Sequence, residues 1–131
     1  MEKMILKTNK RLECINITSR VVQLCQGKIE DGIILLYIPH TTAGIFINEN
    51  TDPDVVTDFE NTLSQLVKPD FSYLHSEGNS DSHIKSSIIG SSVSIIVENG
   101  RIQLGRWQGI FFAEFDGPRT REVWCKFIPS I

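Results

Sequence analysis

The stretch GIILLYIPHTTAGIFINENTDPD, residues 32–54, carries the decision on the fold, because it holds two apolar runs separated by a polar corner and ends on a helix start. Gly32 to Pro39 is too uniformly apolar for a surface strand and predicts a central strand buried on both faces. Ala43 to Asn48 predicts the next strand. Asp52 then suits the N-cap of a helix, Pro53 its first position, and Asp54 the positive end of its dipole. Val55, Phe59, Leu63, Leu66 and Val67 continue as an apolar stripe at spacings of three and four until Lys68-Pro69 stops it. His40 sits at the polar corner and Glu49 follows the second strand. A tight hairpin would put these two at opposite ends, on the order of 17 to 20 Å apart. They share a site only if the connection is not a simple hairpin, or if subunits bring the ends together.

On the N-terminal side, Met4 to Lys7 and Glu13 to Thr18 have the short alternating pattern of strands. Ser19 is placed to cap a brief helix containing Val21, Val22, Leu24 and Cys25, which Gly27 ends, and Asp31-Gly32 marks a turn. On the C-terminal side a third short helix is expected from Asp81 to Ile89, with Ile84, Ile88 and Ile89 inward and Gly90 closing it. Beyond it the strand pattern returns in Ser92 to Glu98, Arg101 to Leu104, Gln108 to Asp116 and Thr120 to Ile128, with Asn99-Gly100 as a hairpin turn between the first two. About eight strands with two or three short helices predict an α+β fold, a β-rich antiparallel or mixed, sandwich-like sheet. A parallel Rossmann-like sheet would need helical crossovers that the pattern lacks.

The chain has 131 residues, 40% of them hydrophobic, which is ordinary single-domain length, and no linker or repeat divides residues 1–131. A formal net charge of −3 with scattered lysines and arginines leaves no basic stripe, so nucleic acid is not an expected partner. Cys14, Cys25 and Cys125 are odd in number and lack CxxC spacing, which fits reduced, mostly buried thiols. The longest apolar run, Ile33 to Ile38, is far below the roughly 20 residues needed to cross a bilayer. A cytoplasmic protein without a membrane partner is expected.

All three histidines, His40, His75 and His83, lie in strings rich in carboxylates, amides and hydroxyls. Three imidazoles are the ligand set of an open catalytic zinc site with a fourth position for water. His-x7-His is no zinc-finger spacing, and a metal-free acid–base pocket or unrelated loop histidines explain the pattern as well. Near the C-terminus, Gly117-Pro118 read as a two-residue hairpin loop sets Asp116 opposite Arg119 and Glu114 opposite Arg121. These are two ion pairs worth less than about 1 kcal/mol each if exposed. If buried among Phe111, Phe112 and Phe115, they are arginines oriented by acids to receive a phosphate or carboxylate. Ser86, Ser87, Gly90, Ser91 and Ser92 match no P-loop and read as turn chemistry, and Trp107 and Trp124 read as core or interface anchors. No nucleophile elbow or nucleotide fingerprint is present.

HTTAGIFINENTDPDV, YLHSEGNSDSHIKSSIIGSS and GRIQLGRWQGIFFAEFDGPRTR, in this order, resemble the motifs of the YjbQ family, an uncharacterised family also described as secondary thiamine-phosphate synthases. The likeness runs from about Tyr37 to Arg121. The matching positions are His40, Thr42, Asn48, Glu49, Asp52, His75, Asn79, Asp81, His83, Trp107, Gln108, Glu114, Asp116, Arg119 and Arg121, while Arg106 and Ser82 depart from the small hydroxyl residue and the alanine expected there. The resemblance implies a homotrimer with the polar motifs near subunit contacts. It also implies an enzyme that couples a pyrimidine methyl diphosphate to a thiazole phosphate and releases pyrophosphate. In that reading Arg119, Arg121 and a divalent ion, zinc or magnesium, stabilise the departing diphosphate, His40 or Glu49 handles protons, Asp116 is a further catalytic candidate, and His40, His75 and His83 are the metal candidates. Two other classes stay open: a protein that binds a metal or a small anion without turnover, and a zinc-dependent hydrolase.

Overall fold

A computed structural model describes all residues from Met1 to Ile131. In chain order the elements are β1 (Glu2–Lys7), β2 (Glu13–Asn16), α1 (Thr18–Cys25), β3 (Gly32–Tyr37), β4 (Ala43–Glu49), α2 (Pro53–Leu66), α3 (Ser80–Ile89), β5 (Ser92–Glu98), β6 (Arg101–Gln103), β7 (Gln108–Glu114) and β8 (Thr120–Pro129). The fold is α+β, with eight strands divided between a five-stranded sheet, β1-β8-β3-β5-β6, and a three-stranded sheet, β2-β7-β4. Every pairing is antiparallel.

The period of two in the strands decides what lies between the sheets. Met4 and Leu6 of β1, Ile34 and Leu36 of β3, Ile95 and Val97 of β5, and Val123 and Cys125 of β8 point inward to meet Ile45 of β4 and Ile110 and Phe112 of β7. Helix α1 seals this core with Val21 and Cys25. It starts at Thr18, one residue before the predicted capping serine. The position before it is Ile17, with no side-chain cap, and Asn16 Oδ1 takes the Thr18 N–H at 3.0 Å. On the far side of the three-stranded sheet a smaller cluster, Leu63, Ala113 and Phe115, packs with Phe46 and Phe59 beneath α2. Asp52 caps α2 through the Asp54 N–H at 3.0 Å, as its sequence predicts.

Two expectations change and two connections left open by the sequence are decided, four points in all. Strand β3 is central, yet only one of its faces is buried, and the other leaves Ile33 and Tyr37 exposed beside Ile96 and Ile128. The uniform apolar run therefore serves a core on one side and an uncovered apolar surface on the other. Second, β3 and β4 form no hairpin, since they belong to different sheets. Third, β7 and β8 do not pair either, so the Gly117-Pro118 link passes from one sheet to the other.

The fourth point is the face of α3. Its buried residues are Ser80, Asp81, Ser82, Lys85 and Ser86, while Ile84 and Ile88 face solvent, Ile88 at 60% exposure. Helical periodicity located the helix, but its polar side has partners that its apolar side lacks. Lys85 is 1% exposed and donates to Asp81 at 2.8 Å, and Arg11, far away in sequence, holds the same carboxylate through two hydrogen bonds of 3.1 and 3.0 Å. Ser86 Oγ donates to Ala43 O at 2.7 Å, and Ser82 Oγ donates to Phe115 O. Gly44 permits the approach, because a Cβ there would stand 2.8 Å from Gly90 O, just past the end of α3. The Asn99-Gly100 turn follows its sequence, both residues having positive φ, 52° and 74°.

Candidate functional site

Where β3 stops, β8 continues, and the ladder would leave the Glu122 N–H unpaired. His40 fills the gap, its Nε2 accepting that N–H at 2.9 Å. An imidazole nitrogen that accepts carries no proton, so in the neutral ring the proton sits on Nδ1. Partial burial, and then the nearby Arg121 guanidinium, hold the His40 pKa below its ordinary 6.5. His40 is thus placed as a neutral hydrogen-bond donor.

The link between β7 and β8 supplies the charges. Glu114 is fully buried: its Oε1 accepts from Arg121 Nε at 2.8 Å and from Thr8 Oγ1 at 2.7 Å, and its Oε2 accepts from Arg121 Nη2 and from the Asp116 N–H at 3.1 Å. Arg121 Nη2 also donates to Thr42 Oγ1 at 2.8 Å. Asp116 accepts from Asn79 Nδ2 at 2.8 Å and from Arg119 Nη2 at 2.9 Å, and its carbonyl takes Arg119 Nε at 2.7 Å. Burial pushes the Asp116 carboxyl up, but the hydrogen bonds from Asn79 and Arg119 outweigh it and hold the pKa below 3.8. In both arginines Nε and Nη2 are spent on protein acceptors, and Nη1 has none.

These side chains open on one hollow of about 350 Å³, to which His40, Thr41, Asn79, His83, Arg119 and Arg121 contribute. Apart from Pro39 every lining side chain is polar. Asn79, just before α3, and His83 on α3 face this side, and Asn79 Oδ1 is a buried acceptor with no partner. The predicted pairs Asp116–Arg119 and Glu114–Arg121 both exist, although not along a hairpin: Glu114–Arg121 joins the two sheets, and Asp116–Arg119 closes within the link between β7 and β8.

The predicted site residues divide. His40, His83, Asp116, Arg119 and Arg121 line the hollow. His75 stands beside it, its ring edge-on to His83 with centroids 5.3 Å apart and its Nε2 3.8 Å from Glu77 Oε2. Glu49 lies at the other end of β4, opposite Gln108, with its Oε2 accepting the Asp52 N–H at 3.3 Å. The length of β4 separates it from the His40 end by roughly 20 Å at the usual rise per residue. Arg106 does not line the hollow, and its guanidinium lies 4.7 Å from the centroid of the Trp107 ring. Thr8, Arg11 and Lys85 hold the site in place, yet nothing in their local sequence marks them.

A metal site built from His40, His75 and His83 does not fit the residues of one chain. No three histidine, cysteine, aspartate or glutamate side chains converge on a point. The Nε2 lone pair of His40 is engaged by Glu122, and its Nδ1 bears the proton.

The sequence model of the family described as "UPF0047 protein YjbQ-like" matches residues 2–130. A UPF0047 protein of Methanocaldococcus jannaschii is 54% identical over 124 residues, covering 94% of this chain and 90% of that protein. The UPF0047 protein YugU of Bacillus subtilis is 50% identical over 125 residues, covering 94% and 95%. Among solved structures, an uncharacterised conserved protein of the YjbQ/UPF0047 family from Clostridium acetobutylicum superimposes with a TM-score of 0.94 at 47% identity, covering 98% of this chain and 100% of that one. A conserved hypothetical protein from Thermus thermophilus gives a TM-score of 0.92 at 38% identity, with coverage of 98% and 100%.

Proposed function

This chain belongs to the YjbQ-like UPF0047 family, and from that premise we propose that it is a small phosphate-handling enzyme of thiamine-phosphate-synthase type. The reaction joins a pyrimidine methyl diphosphate to a thiazole phosphate: the carbon–oxygen bond to the diphosphate breaks, the bond from the thiazole nitrogen to that carbon forms, and pyrophosphate departs with the electron pair. What supports it is one arrangement, two guanidinium groups with unspent Nη1 donors beside His40 in a hollow with an almost wholly polar lining. Donors fixed before the substrate arrives act best where charge develops, here on the departing pyrophosphate. Glu114 and Asp116 keep the guanidinium planes in position, and the Nδ1–H of His40 is a third donor. The coupling needs no net proton transfer at the thiazole nitrogen, so no step is assigned to Glu49, and none is routed through a metal.

The test is to supply both phosphorylated precursors and measure pyrophosphate release and coupled product, alongside equilibrium binding of inorganic pyrophosphate. Binding and turnover that both fall in Arg119→Ala support the enzyme. Binding without turnover replaces it with a protein that holds small anions. Absence of any phosphate binding ends both.

We also propose that the chain assembles as a homotrimer in the cytoplasm. The exposed isoleucines on the outer face of the five-stranded sheet support self-association, and the three free cysteines suit a reducing compartment. No helix is long and apolar enough to cross a membrane. In such an assembly Glu49 reaches a His40 site only from a neighbouring copy. Light scattering should give three times the chain mass, and a monomer at micromolar concentration would reject the assembly.

A further inference from the structure

A second hollow, of about 460 Å³, adjoins the polar one and is lined by Tyr73, Leu74, His75, His83 and Ile84 among others. His83 belongs to both. The contrast between them is chemical. The polar hollow has no hydrocarbon wall beyond Pro39, whereas the second is walled by an aliphatic pair, Leu74 and Ile84, and by the rings of Tyr73, His75 and His83. Leu74 is fully exposed, and Ile84 is turned outward because α3 buries its polar side. Tyr73 is fixed from two directions, its hydroxyl donating to Lys68 O and its ring packing against Phe71 with centroids 5.5 Å apart. Apolar side chains held open beside a polar cavity suit a ligand that is charged at one end and apolar at the other.

We infer that this second hollow is the subsite for the aromatic ring of an aryl phosphate, with Leu74 and Ile84 as the residues that set specificity for the ring. This rests on the phosphate-handling function proposed above: the phosphate occupies the polar hollow, and the ring crosses His83 to lie against Tyr73, Leu74 and Ile84. A sugar phosphate, with hydroxyls where the ring would be, gains nothing from these walls and loses hydration against them.

The experiment is equilibrium binding of three probes to the intact protein: inorganic phosphate, glycerol phosphate and phenyl phosphate. Phenyl phosphate is expected to bind about tenfold more tightly than the other two, the gain from covering one face of a phenyl ring. Leu74→Ser and Ile84→Ser should each remove most of that preference and leave the affinity for inorganic phosphate within about twofold, since neither lines the polar hollow. Equal binding of all three probes would overturn the ring subsite while leaving the phosphate pocket standing. So would variants that keep the preference, or a Leu74→Ser protein whose assembled mass changes, which would mark the patch as a contact between copies. If none of the probes binds, the pocket and the subsite fail together.

Discussion

The carboxylate of Glu114 and the guanidinium of Arg121, seven residues apart in sequence, form a buried ion pair that ties the end of the three-stranded sheet to the five-stranded one. Removing one member of a buried pair leaves the other charge uncompensated, which costs about 3–5 kcal/mol. Glu114→Gln should therefore lower the urea midpoint by that equivalent with little change in the slope of the transition. Arg119→Ala breaks a pair whose arginine is half exposed and should cost less than about 1 kcal/mol. Equal losses in the two variants would contradict the difference in burial.

Asp81 is the hinge of the second buried network. Burial raises its pKa, but hydrogen bonds from Arg11 and Lys85 prevail and hold it below 3.8. Because the folded state binds that proton less readily than the unfolded chain, stability is present above the ordinary carboxylate range and is lost as pH falls through the folded value. Asp81→Asn should strand Lys85 and cost about 3–5 kcal/mol at neutral pH. Lys85→Met should cost clearly less, since Asp81 keeps both of its bonds to Arg11. Urea titrations of the two variants at neutral pH, and of the wild type from pH 6 to 3, supply the comparison.

His40 gives the opposite kind of group, one whose neutral form is favoured by folding. Burial first and Arg121 second lower its pKa from 6.5, so the unfolded chain takes up a proton that the folded protein resists. Stability should then fall as pH drops through 6.5 until the folded pKa is reached. Thermal midpoints between pH 7.5 and 5 should show that slope in the wild type and a shallower one in His40→Asn. Nitrogen chemical shifts at neutral pH should identify the Nδ1–H tautomer; an Nε2–H ring would refute the bond from Glu122.

The inverted face of α3 separates two substitutions that helical periodicity would rank the other way. Ile88→Ser should change stability by no more than about 0.5 kcal/mol because the side chain already meets solvent. Ser86→Ala should cost about 1 kcal/mol, the hydrogen bond to Ala43 O being lost from a buried position. Urea unfolding of the pair decides the order.

What the sequence carried was mostly local. Asp52-Pro53 announced α2, Asn99-Gly100 announced its hairpin, and the spacing of Glu114, Asp116, Arg119 and Arg121 announced two ion pairs, because each depends on neighbours a few residues away. The partition into two sheets was not legible, since a short Gly117-Pro118 link fits a hairpin and a crossing equally well. Nor was the buried side of α3, because what makes Lys85 and Asp81 acceptable inside is Arg11, 70 residues from Asp81. Of the histidines, sequence marked all three as notable, but only geometry distinguishes His40, bound to the β8 backbone, from His83, shared by two hollows.

Strand β8 lies between β1 and β3, with Glu2 facing Cys125 and Tyr37 facing Trp124. The first strand of the chain thus waits for the last, and the strand that joins β1 to β3 in the larger sheet is missing until residues 120–129 leave the ribosome. Until that moment β1 and β3 are open edges carrying isoleucines, the kind of surface that chaperones cover and that aggregates by edge pairing. With so many of its contacts distant in sequence, such a topology folds slowly and only after synthesis has passed β8.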